Sequence, residues 1–372
     1  MNKKRDWRTL VFSYVPRWAL ILFALAGAAF IIELISKYSV ALADFTAGTI
    51  GKFIRVTFAY TTYIFPFSVA ELLLWASPFL LAYVIYLAVK CANASWQKFS
   101  RFVAGFLALA STVYTLFVFA AGTSYYGTKV AEKMGIERRN VSAQELYDTA
   151  VLLTEVINEQ LDSVVYPEGT YSAMPYTYQE MNRKLNAAYA VVCEKYDGID
   201  KLNSRTKPVI LSPYWTYTHI SGLYTFFTGE ANVNTNYPQF IVASTAAHEM
   251  AHQRGVSTED EANFVAFVAC MSSDDPFIKY AGCADVLQDV MNSLYTASPE
   301  LYTKFYNEVM PTQIKGEYKA YAEFFDKYRD NVAADVAGSV NNSYIENHNQ
   351  PAGVRSYGMV VDLVVSYMLY TD

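Results

Sequence analysis

Histidine and cysteine are scarce in this chain, with four of each among 372 residues. That scarcity excludes a metal-storing array, and none of the cysteines has the close spacing of a structural zinc site. Cys91 stands in the first third. Cys193, Cys270 and Cys283 follow, an odd number; Cys270 and Cys283 flank an expected helical turn and could pair or remain buried thiols. Low-complexity linkers and internal repeats are absent, which excludes solenoids and long flexible tethers. Charge is sparse too, at 17% of residues, and it is split. Residues 1–121 hold 11 of the 29 Lys/Arg and 4 of the 35 Asp/Glu, a net of +7. Residues 122–372 hold the other 18 and 31, a net of −13. The second part offers no basic stripe, so nucleic acid is excluded as a partner.

The basic part is also the apolar part. Three stretches, 18–35, 69–89 and 102–121, are long enough to cross a bilayer, which takes roughly 20 apolar residues. The first lacks a following small-residue cleavage site, so it reads as a signal anchor. Glu33 and Glu71 fall near span ends, within reach of Lys37 or Arg55. Ile50, Phe53, Ile54 and Phe58 recur at helical spacing beside Lys52 and Arg55, which predicts an interfacial or re-entrant segment over about 45–66. Lys3, Lys4, Arg5, Arg8 and Arg17 precede the first span, and Lys90, Lys98 and Arg101 fill the link between the second and third. Basic residues favour the cytoplasmic side. The expectation is a multi-pass protein of the cell membrane with its N-terminus cytoplasmic, residues 1–121 as membrane anchor and 122–372 extracytoplasmic.

Residues 123–139 read as a polar connector. Beyond it, Ser142 with Glu145 and Thr177 with Glu180 predict helix starts, the helices running to about Asp162 and Tyr196. Residues 207–236 are punctuated by Pro208, Pro213, Gly222 and Gly229 and rich in Tyr, Thr and Phe, which predicts short strands at 223–227 and 231–234. Pro238 opens another helix that Gly255 ends, Ser257 or Thr258 caps the next to about Ser272, and Asp275-Pro276 starts a third. The apolar run 357–370 is too short to span and predicts a core helix. The fold class is therefore α+β, mainly helical, with three N-terminal transmembrane helices and a small sheet.

Two of the four histidines lie in His248-Glu249-Met250-Ala251-His252, inside the helix bounded by Pro238 and Gly255. Residues four apart on a helix share a face, so both imidazoles can grip one Zn2+ while Glu249 projects beside it as general base. A catalytic zinc needs three protein ligands and an open position. Glu259-Asp260-Glu261-Ala262-Asn263-Phe264 begins just past the Gly255 turn, and a helix running back from it would bring its first turn to the histidines. Glu259 shares a face with Asn263, one able to bind metal while the other orients an imidazole, which makes Glu259 the preferred third ligand. Glu261 is the alternative. These acids also suit a capping box, Ser257 with Asp260 or Thr258 with Glu261. An oxyanion donor is sought in Tyr357 or Arg355, with His348 and His219 behind them.

HExxH followed by Glu259-x-x-Ala262-Asn263 resembles the gluzincin class of zinc peptidases, in which a glutamate completes the site and an Asp or Asn four residues later supports the first histidine. Gly255 takes the place of the metzincin glycine, but Thr258 stands where a metzincin has its third histidine. The whole pattern also resembles a family of uncharacterised bacterial integral-membrane proteins, the domain of unknown function 3810. The resemblance rests on three N-terminal spans, Gly229-Glu230-Ala231-Asn232-Val233-Asn234, the motif continued by Gln253-Arg254-Gly255, and the late Arg355-Ser356-Tyr357-Gly358. It implies a membrane-embedded N-terminus and a gluzincin-like outer domain but gives no substrate; on the zinc-peptidase reading of the motif, the substrate would be a peptide or protein at the outer membrane face. On it, Asn232 and Asn234 would lie on the edge strand that binds substrate, or else serve as turn residues. Two rivals stay open, a non-catalytic zinc receptor or scaffold and an amidase acting on a non-peptide or cell-wall amide.

Overall fold

Long apolar runs satisfy their backbone polar groups internally only as helices, and this chain complies. The computed structural model describes residues 7–167, 171–329, 331–347 and 359–371, which are mainly helical with one three-stranded sheet and divide into two units.

The first unit comprises the residues up to Ile54, Val69–Gly127 and Phe226–Thr228. Three of its helices, Arg17–Ser36, Val69–Ala94 and Trp96–Ala120, are long and apolar enough to cross a membrane. They cover the three expected spans. The third starts six residues earlier than expected, because Ser95 caps it by accepting from the Lys98 amide at 3.2 Å. Lys90, Lys98 and Arg101 consequently stand on helices and not in a link. Trp18 packs closely enough on Gly105 that a Cβ there would sit 3.1 Å from the indole, so glycine permits this close approach. Glu33 accepts a hydrogen bond from Tyr114 at 2.6 Å, a hydroxyl where a cation had been expected.

The second unit comprises Arg55–Ser68, Thr128–Thr225 and the residues from Gly229 on. No single cut near residue 121 therefore divides the chain. The expected amphipathic helix is present at Lys52–Tyr63, but its Arg55 is not turned to lipid headgroups. It is buried, donates to Asp200 at 2.7 Å, and lies against Gly255. Further along, Lys207 donates to the Thr62 carbonyl at 2.7 Å and Arg205 to those of Tyr63 and Phe65 at 2.6 and 2.8 Å. Segment 55–68 is a strut of this unit because its carbonyls and its arginine find partners there. The expected polar connector is likewise more than a tether, since Val130, Ala131, Met134 and Ile136 are buried in the core.

Caps set the helix starts. Ser142 and Glu145 form a reciprocal capping box, Thr177 accepts from the Glu180 amide, and Asp275 accepts from Ile278 with Pro276 in the first turn. Three helices form the centre: the motif helix Gln239–Gln253, the acidic helix Glu259–Met271 and the back helix Pro276–Ala297. They pack on one another, the back helix also packs on helix Ala143–Gln160, and the apolar helix Val360–Tyr370 joins this core as expected.

The sheet has the order β1-β3-β2, with β1 at Thr206–Pro208, β2 at Gly222–Thr225 and β3 at Glu230–Val233. β2 and β3 form an antiparallel hairpin about Gly229, whose φ of 69° suits glycine. β1 pairs with β3 in parallel. A buried ion pair between Lys207 and Glu230 ties these two strands together.

Candidate metal centre

The motif helix ends in a turn at Gly255, φ 98°, that glycine adopts without strain. Its last carbonyls are satisfied tightly: Arg254 and Val256 both donate back to Ala251, at 3.0 and 3.2 Å. The chain then reverses into the acidic helix, with Thr258 at the N-cap. This short reversal brings Glu259 to the two histidines. Its Oε2 lies 3.2 Å from His248 Nε2 and 3.5 Å from His252 Nε2, and the two Nε2 atoms are 3.0 Å apart. Donors about 2.0–2.1 Å from one tetrahedral ion lie about 3.3 Å from each other. The three separations match that spacing, and the His2Glu donor set suits zinc.

The imidazole orientations agree with such a role. His252 Nδ1 lies 2.7 Å from the Val256 carbonyl, so it carries a proton there and Nε2, facing Glu259 and His248, is the atom that would bind an ion once its own proton is lost. His248 Nδ1 is buried and has no hydrogen-bond partner.

Glu261 is placed elsewhere. Its carboxylate accepts from the Ala131 amide and from Thr258, both at 3.0 Å, which anchors segment 130–136 to the acidic helix. Asp260 pairs with Arg138. The Thr258 hydroxyl donates to Glu261 and does not cap the backbone, so neither expected capping box forms. Asn263 makes no hydrogen bond to either imidazole.

Glu249 is almost fully buried, and one of its oxygens has no hydrogen-bond partner. Burial raises its pKa to about 7, with Glu259 adding to the rise against the two imidazoles and the Tyr224 amide. Burial lowers the pKa of His252, but the Glu259 and Glu249 carboxylates outweigh it and push it up to about 9. Glu259 is held well below the usual carboxylate range, because the imidazoles overcome the cost of its burial.

Two residues on β2 join the site without having been foreseen. A Cβ on Gly222 would collide with Glu249 and Thr245, so the bare backbone there is what lets the strand approach the carboxylate. The Tyr224 amide lies near enough to Glu249 to favour its charged form, and the Tyr224 ring lies near-parallel to that of His252 at 6.5 Å between centroids. A glycine opening an aromatic run was the only trace of this in the sequence.

The expected edge strand is corrected by the same sheet. β3 is central, because β1 covers its other side. Asn232 is buried and donates to the carbonyls of Leu223 and Glu230, and Asn234 donates to the Ile220 carbonyl. Both asparagines hold the sheet and its exit loop. Three-residue β1, ending in Pro208, carries too little alternation to be read from sequence. Among the strands described here β2 is the edge beside Glu249. His219 is drawn away from the metal cluster: its φ is 60°, its ring packs on Phe325, and its Nε2 lies 2.6 Å from the Tyr328 carbonyl. Arg355, Tyr357 and His348 lie outside the described residues.

The chain matches the family described as Protein of unknown function (DUF3810) over residues 48–365, most of its length. No curated protein and no solved structure matches it.

Proposed function

This chain belongs to the family of proteins of unknown function (DUF3810), and from that premise we propose that it is a membrane-anchored zinc metallopeptidase of gluzincin-like design. One observation carries the reading. The buried Glu249 carboxylate, poised near neutrality with an oxygen unpartnered, stands on the same helix as two histidines that converge with Glu259 at metal-ligand spacing. A structural site has no use for such a base, and a closed structural zinc would need a fourth Cys or His, which the cluster lacks among the described residues.

His248, His252 and Glu259 would hold Zn2+, which when bound supplies a Lewis acid that activates water and polarises a carbonyl. Glu249, at a pKa of about 7, is suited to take a proton from the attacking water and pass it to the leaving amine. The outer edge of β2 suits an extended peptide bound by backbone hydrogen bonds, with Gly222 keeping the approach to Glu249 clear.

The anchor is the three apolar helices. Basic residues at the N-terminus and around the Ser95 turn favour a cytoplasmic location for both, which makes the second unit extracytoplasmic. Segment 55–68 supports three crossings. It lies between the first and second of these helices and belongs to the same unit as the metal cluster, so an even number of crossings must separate the two; helices Val69–Ala94 and Trp96–Ala120 supply them.

The test is metal content and peptide-library cleavage by full-length protein in detergent, wild type against Glu249→Gln. Zinc bound by both at one per chain, with cleavage reduced at least 10²-fold in the variant, is the expected result. Wild type without stoichiometric zinc would overturn it.

A further inference from the structure

Histidine ligands to zinc almost always donate their other ring N–H to an acceptor, which fixes tautomer and ring angle. His252 has the Val256 carbonyl. His248 has a buried Nδ1 with nothing bonded to it, although the motif pattern would assign Asn263 to that duty. The question is which acceptor faces it.

Helical side chains lean toward the N-terminus of their helix, so the His248 ring lies over the turn bearing Ser244, four residues earlier on the same face. The back helix Pro276–Ala297 packs against this face. It brings Asp285 near enough to Ser244 and His248 that both favour its charged form. Asp285 is partly buried, and no cation pairs with it among the described residues. A partly buried carboxylate without a counter-charge is costly, and an imidazole N–H beside it relieves that cost.

We propose that Asp285 is the positioning residue for His248: its carboxylate accepts the Nδ1 proton and so directs the Nε2 lone pair at the ion. The assignment rests on the zinc reading of the site. It moves the orienting group from the ligand-bearing acidic helix, where Asn263 sits, to the back helix, and so makes the packing of the motif helix on the back helix part of the metal centre. Asp285 touches the ligand and not the substrate, so its effect is on zinc affinity and imidazole geometry before it is on turnover.

The experiment uses full-length protein in detergent, with zinc affinity measured by chelator competition on wild type, Asp285→Ala, Asp285→Asn and Asn263→Ala. The expected order is a loss of about 10–100-fold for Asp285→Ala, a smaller loss for Asp285→Asn, which keeps one acceptor oxygen, and near wild-type affinity for Asn263→Ala. A second readout uses ¹⁵N-histidine labelling, since the chain has four histidines and His219→Gln and His348→Gln separate their signals. In zinc-loaded wild type the Nδ1 of His248 should report a protonated, strongly hydrogen-bonded nitrogen, and in Asp285→Asn that resonance should move upfield while the His252 signals stay. Should Asp285→Ala not fold, Asp285→Asn carries both measurements. Zinc on the wild type with unchanged affinity and an unmoved His248 resonance in the Asp285 variants would overturn this assignment alone. A larger loss in Asn263→Ala would return the role to Asn263 and overturn it as well. No zinc on the wild type would bring down the site reading together with the assignment.

Discussion

Helix Val69–Ala94 and the motif helix Gln239–Gln253 are both rich in apolar residues, yet their surroundings differ. The first exposes Leu72, Leu74, Phe79, Leu80 and Leu81, whereas the second buries twelve of its fifteen residues. An apolar surface left bare along a whole helix is at home in lipid. A helix covered by protein can hold carboxylates and imidazoles out of water, where neighbouring charges act strongly on them. Hydropathy is thus shared between the two regions, and the chemistry belongs to the one whose surroundings are polar in a few chosen places.

The largest effect that sharpens this contrast lies within the acidic helix. On the proposed reading Glu259→Ala removes a ligand and should weaken zinc binding by more than the ~100-fold that losing an outer partner costs. Glu261→Ala should leave affinity within a few-fold and instead cost about 1–3 kcal/mol of stability, since it strands the Ala131 amide. Chelator competition and thermal unfolding on the two variants separate these outcomes. Zinc loss in Glu261→Ala alone would reverse the ligand assignment.

The next effect probes the two apolar environments directly. Met250 is fully buried in the motif helix, and Leu74 is 70% exposed on its own helix. Met250→Ala should cost about 2–5 kcal/mol through the cavity it leaves. Leu74→Ala, which empties no cavity, should lower stability by well under 1 kcal/mol in detergent. Equal losses in a denaturant titration would mean that helix Val69–Ala94 is packed by protein and not by lipid.

How much of this could be read from the chain follows the same division. The spans, the capping box at Ser142, the motif helix and its Gly255 stop all depend on neighbours within one or two turns, and such signals are local. The proximity of Glu259 to the histidines was legible for that reason, because only a short turn intervenes. Arg55 was read as an interfacial cation because its partner Asp200 is 145 residues away, and nothing in residues 45–66 announces it. β1 was missed because three residues ending in proline have no period, and its absence made β3 look like an edge. Asp285 sits in a long helix as one acid among several, and only the packing of that helix gives it a direction.

The smallest effect is a matter of protons, and its sign is fixed. In metal-free protein the folded pKa of His252 is about 9, above its ordinary 6.5, and that of Glu249 is about 7, above 4.5. Each group binds more protons folded than unfolded, so each makes stability fall as pH rises. The Glu249 part falls between about 4.5 and 7. The His252 part is fully present below about 6.5 and lost as pH passes 9. Glu259 acts oppositely, its depressed pKa adding stability above about 4.5 that disappears only in stronger acid. With chelator present, the melting temperature should therefore decline from pH 6 to pH 9. Zinc must displace the His252 proton, so its affinity should rise over the same interval and its uptake at pH 7 should release about one proton, read by calorimetry in buffers of different ionisation enthalpy. His252→Gln should flatten the upper part of the decline. A melting temperature that climbed with pH in chelator, or zinc uptake without proton release, would mean that the histidines and Glu259 do not form the coupled cluster that distinguishes the motif helix from the three membrane-length ones.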